Sequence, residues 1–544
     1  MVNTGREPLP LHELISQILT PESSVQKGRG LLSGLGSMQA LNQRLVNQPL
    51  PDFINASLRG ISQVIFVNNP LSGLLILTAM FIQSPWLGSM TLLGSAAATL
   101  TAILGKSNRG AIQNGIYGLN GTLIGAALAF FGAFGNGAWN PVWAIANIIL
   151  SGLTVVVMET VGTWFATRFR VAPLGIPFNG VILTFLLLLV FLPQSLFDLG
   201  PPPPLFSDGE IDRFRLLQSL PTSLGQIFFV DQVISVLLVV LGIAISTPIG
   251  ALVGLLGCGM YLLAGLLLGI KPDQLYTGFW GYNAALTATA IGGVFYTPNR
   301  LSITIGAISA FFASIVSILL SPLFSLLKLP VLSVPFAIVT IGCLLVLQRS
   351  LPSLVPVVLH TVASPEEHRQ RFLIAKEIIT SFRQQLRAAL KGEKCNILFD
   401  QASEAIKGDL RYIFDAMDCD RSGFLSKEEL ADHLQQAGKL VSDQELTYLF
   451  KSIDRDNNGT IDFEELGELM LRHRRLMSKY TEFVTYFLPI DANEDDAIGI
   501  DEMNIAIASV GELPLSKDEI IYLQEKTEGQ PLSWNQFIEL LLVL

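Results

Sequence analysis

Two twelve-residue segments near the end of the chain space oxygen-bearing residues as a calcium-binding loop does. Oxygen ligands at alternate positions wrap a hard cation, and the glutamate at position 12 can supply two oxygens. In DCDRSGFLSKEE, positions 1, 3, 5, 7, 9 and 12 fall on Asp418, Asp420, Ser422, the Phe424 carbonyl, Ser426 and Glu429. In DRDNNGTIDFEE, they fall on Asp454, Asp456, Asn458, Thr460, Asp462 and Glu465. The spacing predicts two Ca²⁺ sites.

Both loops also carry the residues that shape them. Gly423 and Gly459 stand at position 6, where the loop turns sharply. Position 8 holds Leu425 and Ile461, which are apolar as paired loops require. The two loops are therefore predicted to form one pair.

Two later segments keep only parts of this pattern. DANEDDAIGIDE has oxygen ligands at four positions but lacks the turn glycine, and EKTEGQPLSWNQ keeps little beyond the apolar position 8. The residues in question are Asp491, Asn493, Asp495, Glu502 and Leu532. Both segments are interpreted as EF-hand folds, the third a weak candidate site and the fourth silent.

Such loops need flanking helices, so the tail is predicted to contain two EF-hand lobes, at 405–475 and 476–544, which resemble calmodulin-like sensors. From residue 401 to the end the chain has 29 acidic and 13 basic residues, a net charge of −16, against +6 for the remainder. The segment 351–404 precedes the lobes, and its part Phe372–Leu390 has an apolar stripe. This helix is predicted to be either a linker or the target that its own lobes bind.

The body that precedes the tail is too apolar for a soluble globule. The chain of 544 residues is 50% hydrophobic and only 15% charged, with a mean hydropathy of +0.50. Apolar runs of about 20 residues, the length that crosses a bilayer core, are predicted at about 61–82, 87–105, 112–133, 142–167, 177–192, 225–246, 249–270, 277–295, 302–326 and 335–348.

The placement of charge predicts an orientation for these ten runs. Most lysines and arginines between the runs fall on one side, which the positive-inside rule makes cytoplasmic. Both termini are then cytosolic, and the first residues contain no apolar core of a cleavable signal peptide. The four cysteines form no CxxC pair, and no nucleophile–base arrangement or catalytic metal motif is present, so an enzyme is not expected.

The two halves of the apolar body repeat each other. ISQVIFVNN matches LGQIFFVDQ, which makes Gln63 and Gln226 equivalent, and the same offset in numbering pairs Asn120 with Asn283. With five runs in each half, the second half is predicted to be inverted, and inverted repeats create a binding site near the membrane midplane. The predicted segments are a cytosolic lead-in at 1–58, repeat 1 at 59–200, a Pro-rich extracellular linker at 201–224 and repeat 2 at 225–350.

Gln63 and Gln226, the matched glutamines, are polar side chains within predicted membrane-spanning runs. A polar side chain that faces lipid costs several kcal/mol, so Gln63 and Gln226 are predicted to line a pathway, the alternative being a hydrogen bond between helices. Phe66 and Phe229 follow three residues later, on the same helix face. Further matched positions are Leu119, Leu123, Tyr282 and Leu286. An amide between flat apolar walls suits a small, planar, neutral solute, and the lack of a matched ionisable pair disfavours ions.

Over about Pro51 to Phe372 the sequence resembles the urea transporter family. The motifs that carry this resemblance are LRGISQVIFVNNPLSGLLILTAMFIQSPW, GFWGYNAALTATAIGGVFY, SLPTSLGQIFF and LPVLSVPFAIVT. It implies an all-α polytopic membrane protein of two inverted five-helix repeats, usually a trimer with one pore per subunit. Urea would pass down its gradient between two aromatic slots and along backbone carbonyls. The pore residues that the resemblance implies are Gln63, Phe66, Leu119, Leu123, Gln226, Phe229, Tyr282, Leu286 and Ser333.

The chain departs from that family pattern at several positions. Leu119 stands where the family usually has an aromatic residue, and Gly175 and Ser333 stand where it has a matched pair of threonines. The segment Asp231–Val233 lacks an expected proline. Glu159, deep in the fourth run, is predicted to face the pore, a subunit contact or a bound cation.

These observations predict a passive urea channel of the plasma membrane, or of the inner membrane in a bacterium, with a cytosolic calcium-binding module. Ca²⁺ is the expected cofactor. Urea, the bilayer and two further copies in a homotrimer are the expected partners, without nucleic acid. The alternatives are a channel for another small neutral solute, such as ammonia or a short amide, and a calcium sensor tethered to a non-conducting body.

Overall fold

The computed structural model describes residues 36–132, 140–189, 210–347, 354, 363–391, 397–436, 441–456, 458–479, 483, 497–526 and 531–543. The contacts divide the chain into two units. One, here the membrane unit, comprises Arg29–Gln370, and the other, here the tail unit, includes Arg371–Leu544. Both are built almost entirely of helices, which confirms the all-α fold class. The lead-in before residue 36, residues 201–209 of the Pro-rich linker and the first part of the third loop, with Asp491, Asn493 and Asp495, lie outside the described residues.

The first half of the membrane unit begins with two helices that precede the first apolar run. The described helices of this half are α1 Gln39–Leu45, α2 Pro49–Gln63, α3 Pro70–Gln83, α4 Pro85–Leu104, α5 Arg109–Gln113, α6 Gly118–Gly132, α7 Pro141–Phe169 and α8 Ile176–Leu189.

The second half has the same succession of elements. Its described helices are α9 Arg213–Gly225, α10 Val233–Ser246, α11 Pro248–Leu267, α12 Pro272–Tyr276, α13 Gly281–Thr289, α14 Arg300–Leu326 and α15 Val334–Leu347. A 3₁₀ turn, Gln226–Phe228, follows α9, and a π-helical turn, Ala290–Val294, follows α13.

The internal repeat extends from the sequence to the backbone. Four pairs of helices begin at residues separated by the same offset as Gln63 and Gln226. These pairs are α3 and α10, α4 and α11, α5 and α12, and α6 and α13. Left-handed backbone conformations recur at matched positions: φ is 60° at Phe66 and 56° at Phe229, and 51° at Leu174 and 48° at Leu332. Such conformations are uncommon for residues other than glycine, so their recurrence marks equivalent positions of the two halves.

Several of the ten predicted apolar runs do not form one continuous helix in the described residues, because the chain breaks within them. Among the described residues, four helices are long and apolar enough to cross a membrane: α4, α7, α11 and α14. A fifth candidate is the pair Arg213–Phe228 and Val233–Ser246, bent by 78°. The apolar helices α3, α6, α8 and α15 are shorter, at 14 or 15 residues. The two matched breaks fall beside Gln63 and Gln226, the polar residues that the sequence placed near apolar runs.

Local sequence explains where the first of these breaks occurs. Asn69 caps α3, because its Oδ1 accepts from the backbone N–H of Leu71 at 2.8 Å and of Ser72 at 3.3 Å. Pro70 follows at the first helical position, where a missing N–H costs nothing. Asparagine and proline therefore start a new helix rather than kink a continuous one.

Glycines allow the helices around the breaks to approach closely. A Cβ atom on Gly94 of α4 would lie 2.1 Å from the Gly121 carbonyl oxygen of α6, and one on Gly121 would lie 2.2 Å from the Gly94 oxygen. Small residues at such contacts are typical of helices that pack within a bilayer. The broken helices are thus held against full-length neighbours.

The tail unit consists of short helices in helix–loop–helix pairs. The helix α16, Pro365–Leu390, begins in the membrane unit and ends in the tail unit. The tail continues with α17 Ile397–Gln401, α18 Glu404–Met417, α19 Lys427–Gln436, α20 Asp443–Ile453, α21 Phe463–Ser478, β1 Ala497–Ile498, α22 Ile500–Ser509, α23 Lys517–Lys526, β2 Leu532–Ser533 and α24 Trp534–Val543. Strands β1 and β2 pair antiparallel.

Candidate solute pathway and calcium sites

A cavity of about 200 Å³ lies within the membrane unit, between the breaks of the two halves. It brings together all nine residues that were predicted to line a pore: Gln63, Phe66, Leu119, Leu123, Gln226, Phe229, Tyr282, Leu286 and Ser333. The rest of the lining is mainly apolar, and Tyr282 is the one titratable side chain among the described lining residues. A cavity of this composition suits an uncharged solute.

The two glutamines are held in the same way. Gln63 Nε2 donates to the Asn114 carbonyl at 2.9 Å, and Gln226 Nε2 donates to the Thr277 carbonyl at 3.2 Å. Asn114 and Thr277 are themselves equivalent, at the offset that relates the glutamines. A carbonyl only accepts, so the NH₂ group of each amide faces that carbonyl and Oε1 is the acceptor that each side chain has left to offer. Each glutamine therefore makes the anticipated hydrogen bond between segments and lines the cavity as well.

The breaks themselves aim a phenylalanine at the cavity. After α2, the Phe66 N–H donates to the Gln63 carbonyl at 3.0 Å and the Val67 N–H to the Ser62 carbonyl at 3.2 Å. The second half repeats both bonds, with the Phe229 N–H on the Gln226 carbonyl at 3.2 Å. This helix ending normally places glycine at the left-handed position. Phenylalanine there costs roughly 1–2 kcal/mol, and strain of this kind concentrates at functional sites.

Aromatic residues that the sequence analysis missed surround both phenylalanines. Phe66 meets the rings of Phe295 and Phe336 at centroid distances of 6.0 and 6.1 Å, edge-on or tilted. Phe229 instead stacks on Phe130, at 4.8 Å and an interplanar angle of 30°. These partners come from α6, α15 and the turn after α13. Phe295 and Phe336 lie within motifs that carry the family resemblance, but no pattern in the sequence paired them with Phe66.

Gly175 and Ser333 face each other across the cavity lining. A Cβ atom on Gly175 would lie 2.9 Å from Ser333 Oγ. Asn179, which the sequence analysis did not single out, donates from Nδ2 to Ser333 Oγ at 2.9 Å. Ser333, a lining residue from the second half, is thus hydrogen-bonded by a residue of the first half.

Glu159 lies apart from the cavity. It is exposed on α7, and its carboxylate accepts a hydrogen bond from the hydroxyl of Tyr117. It is not among the described residues that line the cavity. Of its three predicted environments, the pore-facing one does not agree with this placement.

In the tail unit, the first loop folds its predicted ligands toward one point. Carboxylate oxygens of Asp418, Asp420 and Glu429 lie within 4.8 Å of one another. Asp418 accepts from the backbone N–H groups of Ser422 and Gly423, both at 2.9 Å. Gly423 has φ of +84°, the left-handed turn that position 6 needs. The Phe424 carbonyl accepts from Ser422 Oγ at 2.8 Å, so both lie in the loop as expected.

The second loop has the same geometry. Oxygens of Asp454, Asp456 and Glu465 lie within 4.8 Å of one another. Asn458 Oδ1 accepts from the Thr460 N–H at 2.7 Å, which keeps both ligand residues inside the loop. The loops pair through the predicted position-8 residues: Leu425 N–H donates to the Ile461 carbonyl at 2.8 Å, and Ile461 N–H returns a bond at 3.0 Å.

Hydrogen bonds keep the exposed ligands of the first loop ionised. Bonds from the Ser422 side chain and backbone lower the pKa of Asp420. The backbone N–H of Ser426 lowers the pKa of Glu429 despite an opposing effect of partial burial. Carboxylates must be deprotonated to bind a metal, so this loop is prepared for a cation at neutral pH.

The described residues of the two degenerate segments in the second lobe pair with each other as the loops of the first lobe do. Ile498 pairs with Leu532 across β1 and β2, as Leu425 pairs with Ile461. Glu502 accepts from the Gly499 N–H at 2.9 Å, as the position-12 glutamates of the first lobe accept from position 9. The EF-hand interpretation of these degenerate loops agrees with this pairing.

Comparison with known proteins assigns both parts of the chain. A model of the urea transporter family matches residues 54–348, and a model of an EF-hand domain pair matches residues 407–471. EF-hand pairs are calcium-binding modules. Among curated relatives, Urea transporter 1 of Rattus norvegicus is 30% identical over 368 residues, which is 65% of this chain and 95% of the relative. Urea transporter 1 of Ovis aries is 29% identical over 343 residues, 62% of this chain and 88% of the relative.

The family model covers more than half of the chain, and its limits coincide with the helices that enclose the cavity. Members of this family are transporters rather than enzymes, in agreement with the sequence analysis. The protein is a multi-pass membrane protein that belongs to the urea transporter family and carries a C-terminal EF-hand domain.

Proposed function

We propose that the membrane unit is a channel through which urea passes down its gradient. The observation that carries this proposal is the matched pair of glutamines, each of which donates to a matched carbonyl and lines the same cavity. Urea is planar and offers N–H donors at its edge, so each Oε1 supplies an acceptor for that edge. The rings and leucines supply flat apolar walls for its faces.

The neutral lining supports passive flux of an uncharged solute. Ion pathways in membranes carry ionisable side chains, which are expensive there and retained for function. The described lining has amides, a hydroxyl, a phenol and apolar groups, but no carboxylate, lysine or arginine. Nothing in that described lining couples solute movement to a proton or a sodium ion.

The test is solute flux into proteoliposomes that contain the full-length chain. Urea is expected to equilibrate far faster than in protein-free vesicles, with a rate that does not respond to a proton or sodium gradient. Ammonia, acetamide and glycerol, measured on the same vesicles, separate a urea channel from one for another small neutral solute. Urea flux equal to that of protein-free vesicles would overturn the proposal and leave a tethered calcium sensor.

We also propose that Ca²⁺ binds both loops of the first lobe and changes urea flux. Sensor loops of this type bind at about 10⁻⁷–10⁻⁵ M, and the direct pairing of Leu425 with Ile461 favours cooperative binding. Position-12 glutamates close such loops, so Glu429 and Glu465 are the residues through which binding would reach the flanking helices.

Contacts within the tail unit support a route from the loops to α16. Glu465 lies in the first turn of helix α21 and Arg475 in its last turn, ten residues or about 15 Å later. Arg475 and Lys479 both form ion pairs with Glu377 of α16, the latter at 2.9 Å. Movement of α21 on binding Ca²⁺ would therefore act on α16 at Glu377.

The second lobe holds the same helix through a buried pair. Arg383 of α16 donates to Glu519 of α23 at 3.1 Å, and both side chains are 3% exposed. Arg387 reaches the same carboxylate at 3.3 Å. Apolar residues of α16, including Phe382 and Leu386, are buried. Of the two predicted roles for this helix, a target for its own lobes agrees with these contacts.

The beginning of α16 is fixed in the membrane unit. Glu366 accepts from the backbone N–H of Ile249, at the start of α11, at 2.7 Å. Glu367 accepts from the Ser37 hydroxyl at 2.8 Å. Residues of α16 thus make contacts within each unit, and the proposed response requires that a shift of this helix reach the helices around the cavity.

The experiment compares urea flux with Ca²⁺ and with chelator in three proteins. Wild type is expected to respond, and Glu429→Gln/Glu465→Gln is expected to lose both Ca²⁺ binding and the response. The matched control is Arg475→Gln/Lys479→Gln, which leaves the loops intact and should bind Ca²⁺ but respond less. Wild-type flux that is unchanged while Ca²⁺ binds would make the module a tether or a docking device.

The family resemblance further supports a homotrimer in the plasma membrane with both termini in the cytosol. Mass measurement of the detergent-solubilised complex tests the trimer. Protease accessibility of the tail in intact and opened cells tests the orientation.

A further inference from the structure

A hydrogen-bonded pair, Asn179 and Ser333, joins the two halves at the cavity. Asn179 lies in the first turn of α8, and Ser333 immediately precedes α15. Asn179 Nδ2 lies 2.9 Å from Ser333 Oγ, and Asn179 Oδ1 lies 3.2 Å from the same atom. Asn179 Nδ2 also donates to the Gly175 carbonyl at 2.9 Å. Both side chains are buried, at 6% and 7% exposure.

The Gly175 carbonyl determines which side of the Asn179 amide is Nδ2 and which is Oδ1. A carbonyl accepts and never donates, so the atom that faces it is the NH₂ group. The same NH₂ group then donates to one lone pair of Ser333 Oγ. The hydroxyl hydrogen of Ser333 has two directions left, toward Asn179 Oδ1 or toward a solute in the cavity.

At these positions the two halves have a small residue and a polar residue in opposite order. One common offset in numbering pairs Gly175 with Ser333 and Asn179 with Ala337. The first half therefore has a small residue followed one turn later by a polar one, and the second half has the reverse order. A Cβ atom on Gly175 would lie 2.9 Å from Ser333 Oγ and 3.3 Å from Asn179 Nδ2. The hydrogen-bonded pair occupies the space that a side chain at residue 175 would need.

We propose that Asn179 is a positioning residue that acts through Ser333 to favour solutes with a strong carbonyl acceptor. With one lone pair of Oγ bound to Nδ2, the hydrogen can turn from the longer contact with Oδ1 to the carbonyl of a passing solute. While the cavity holds no solute, Oδ1 satisfies that hydrogen, so the hydroxyl is never left unpaired. This inference rests on the proposed urea flux and adds a group that discriminates between solutes along the path.

Thiourea is the probe that isolates this effect. It has the planar shape and N–H groups of urea, but its sulfur is a weaker hydrogen-bond acceptor than the urea oxygen. A loss of packing at the site would alter both fluxes together. A loss of the oriented hydroxyl would slow urea more than thiourea, so the ratio of the two fluxes reports the role of Ser333.

The experiment is a double-mutant cycle on the full-length chain in proteoliposomes. Asn179→Leu and Ser333→Ala are each expected to lower the urea-to-thiourea flux ratio roughly two- to tenfold, the effect of one hydrogen bond. The double mutant is expected to match Ser333→Ala, because Asn179 acts through that hydroxyl. Asn179→Ala enters the same cycle if Asn179→Leu is not recovered as folded protein.

Additive effects in the double mutant, or an unchanged ratio in Ser333→Ala, would overturn the inference. Those outcomes are distinct from failure of the proposed function, in which wild-type vesicles would show no urea flux at all.

Discussion

The two halves of the membrane unit reach the same backbone geometry with different side chains. Before α3, Asn69 and Pro70 start the helix by local capping. Before α10, the N–H groups of Asp231 and Gln232 instead bond to Oε1 of Gln83, at 3.2 and 3.0 Å. At the helix start of the first half, backbone N–H groups bond to a side chain of the same segment. At the helix start of the second half, they bond to a side chain from the first half. The backbone requirement is repeated, whereas the residue that meets it is not.

The matched asparagines show the same difference. Asn283 Nδ2 donates to the Leu332 carbonyl at 3.1 Å, and its Oδ1 accepts from the Phe336 N–H at 3.2 Å. The amide of Asn120 is also buried, but neither of its polar atoms has a hydrogen-bond partner among the described residues. Equal residues at equivalent positions thus have unequal structural roles.

The largest expected effect concerns the matched glutamines, which both halves have in the cavity lining. Gln63→Leu and Gln226→Leu should each slow urea flux without unfolding the protein, since an unpaired N–H of the solute costs about 1–3 kcal/mol. That range corresponds to roughly 5- to 150-fold in rate. Stopped-flow flux in proteoliposomes checks this, with Gln218→Leu as the control, since Gln218 is an exposed glutamine of α9 that is not among the lining residues. If both cavity mutants conduct like wild type, the glutamines serve only to bond two segments together.

The next effect separates the asparagines. Asn283→Ala should lower the free energy of unfolding by about 1–3 kcal/mol, because it leaves the Phe336 N–H and the Leu332 carbonyl buried and unpaired. Asn120→Ala removes an amide without such bonds and should lower the free energy of unfolding by distinctly less. Thermal unfolding in detergent compares the two variants. Equal losses would mean that the hydrogen bonds of Asn283 do not set its contribution.

The smallest expected effect concerns the aromatic partners of Phe66 and Phe229. A planar solute between two rings needs contacts of about 3.5 Å on each side, yet the centroids of Phe130 and Phe229 are only 4.8 Å apart. A solute that passes between these two rings would have to displace Phe130, so Phe130→Ala should raise urea flux. Aromatic pairs contribute about 0.5–1.5 kcal/mol, which corresponds to a two- to tenfold increase. Phe295→Ala, which removes an edge-on partner of Phe66, should not produce this increase, and reduced flux in Phe130→Ala would contradict the argument.

Much of the site could be predicted from the sequence because it repeats. A constant offset between the halves identified the glutamines and their neighbours, and the nine residues selected with its help line one cavity. The calcium loops were equally predictable, since all their ligands lie within twelve consecutive residues. Hydropathy, in contrast, did not reveal that several runs are broken, because a window as long as a membrane span averages over a short interruption.

The residues that sequence reasoning missed are those that meet only in the folded protein. Phe130 lies in no matched motif, and Asn179 has Ala337 rather than a polar residue as its counterpart. Their partners Phe229 and Ser333 lie in the other half of the membrane unit. The pairing of Arg383 with Glu519 likewise joins two helices that are far apart in the sequence. Neither periodicity nor spacing contains information about such contacts.

The sequence by itself determined the helical membrane body, its internal repeat, the cation loops and the matched amides. Each of these is encoded by short-range spacing, which sets helix faces, caps and loop ligands through local physics. The tertiary structure alone decided which ring covers Phe229, which amide holds Ser333 and which helix the lobes contact. Those choices depend on how closely the glycine-lined helices approach and on which buried polar groups remain to be paired, and both are properties of the packed chain.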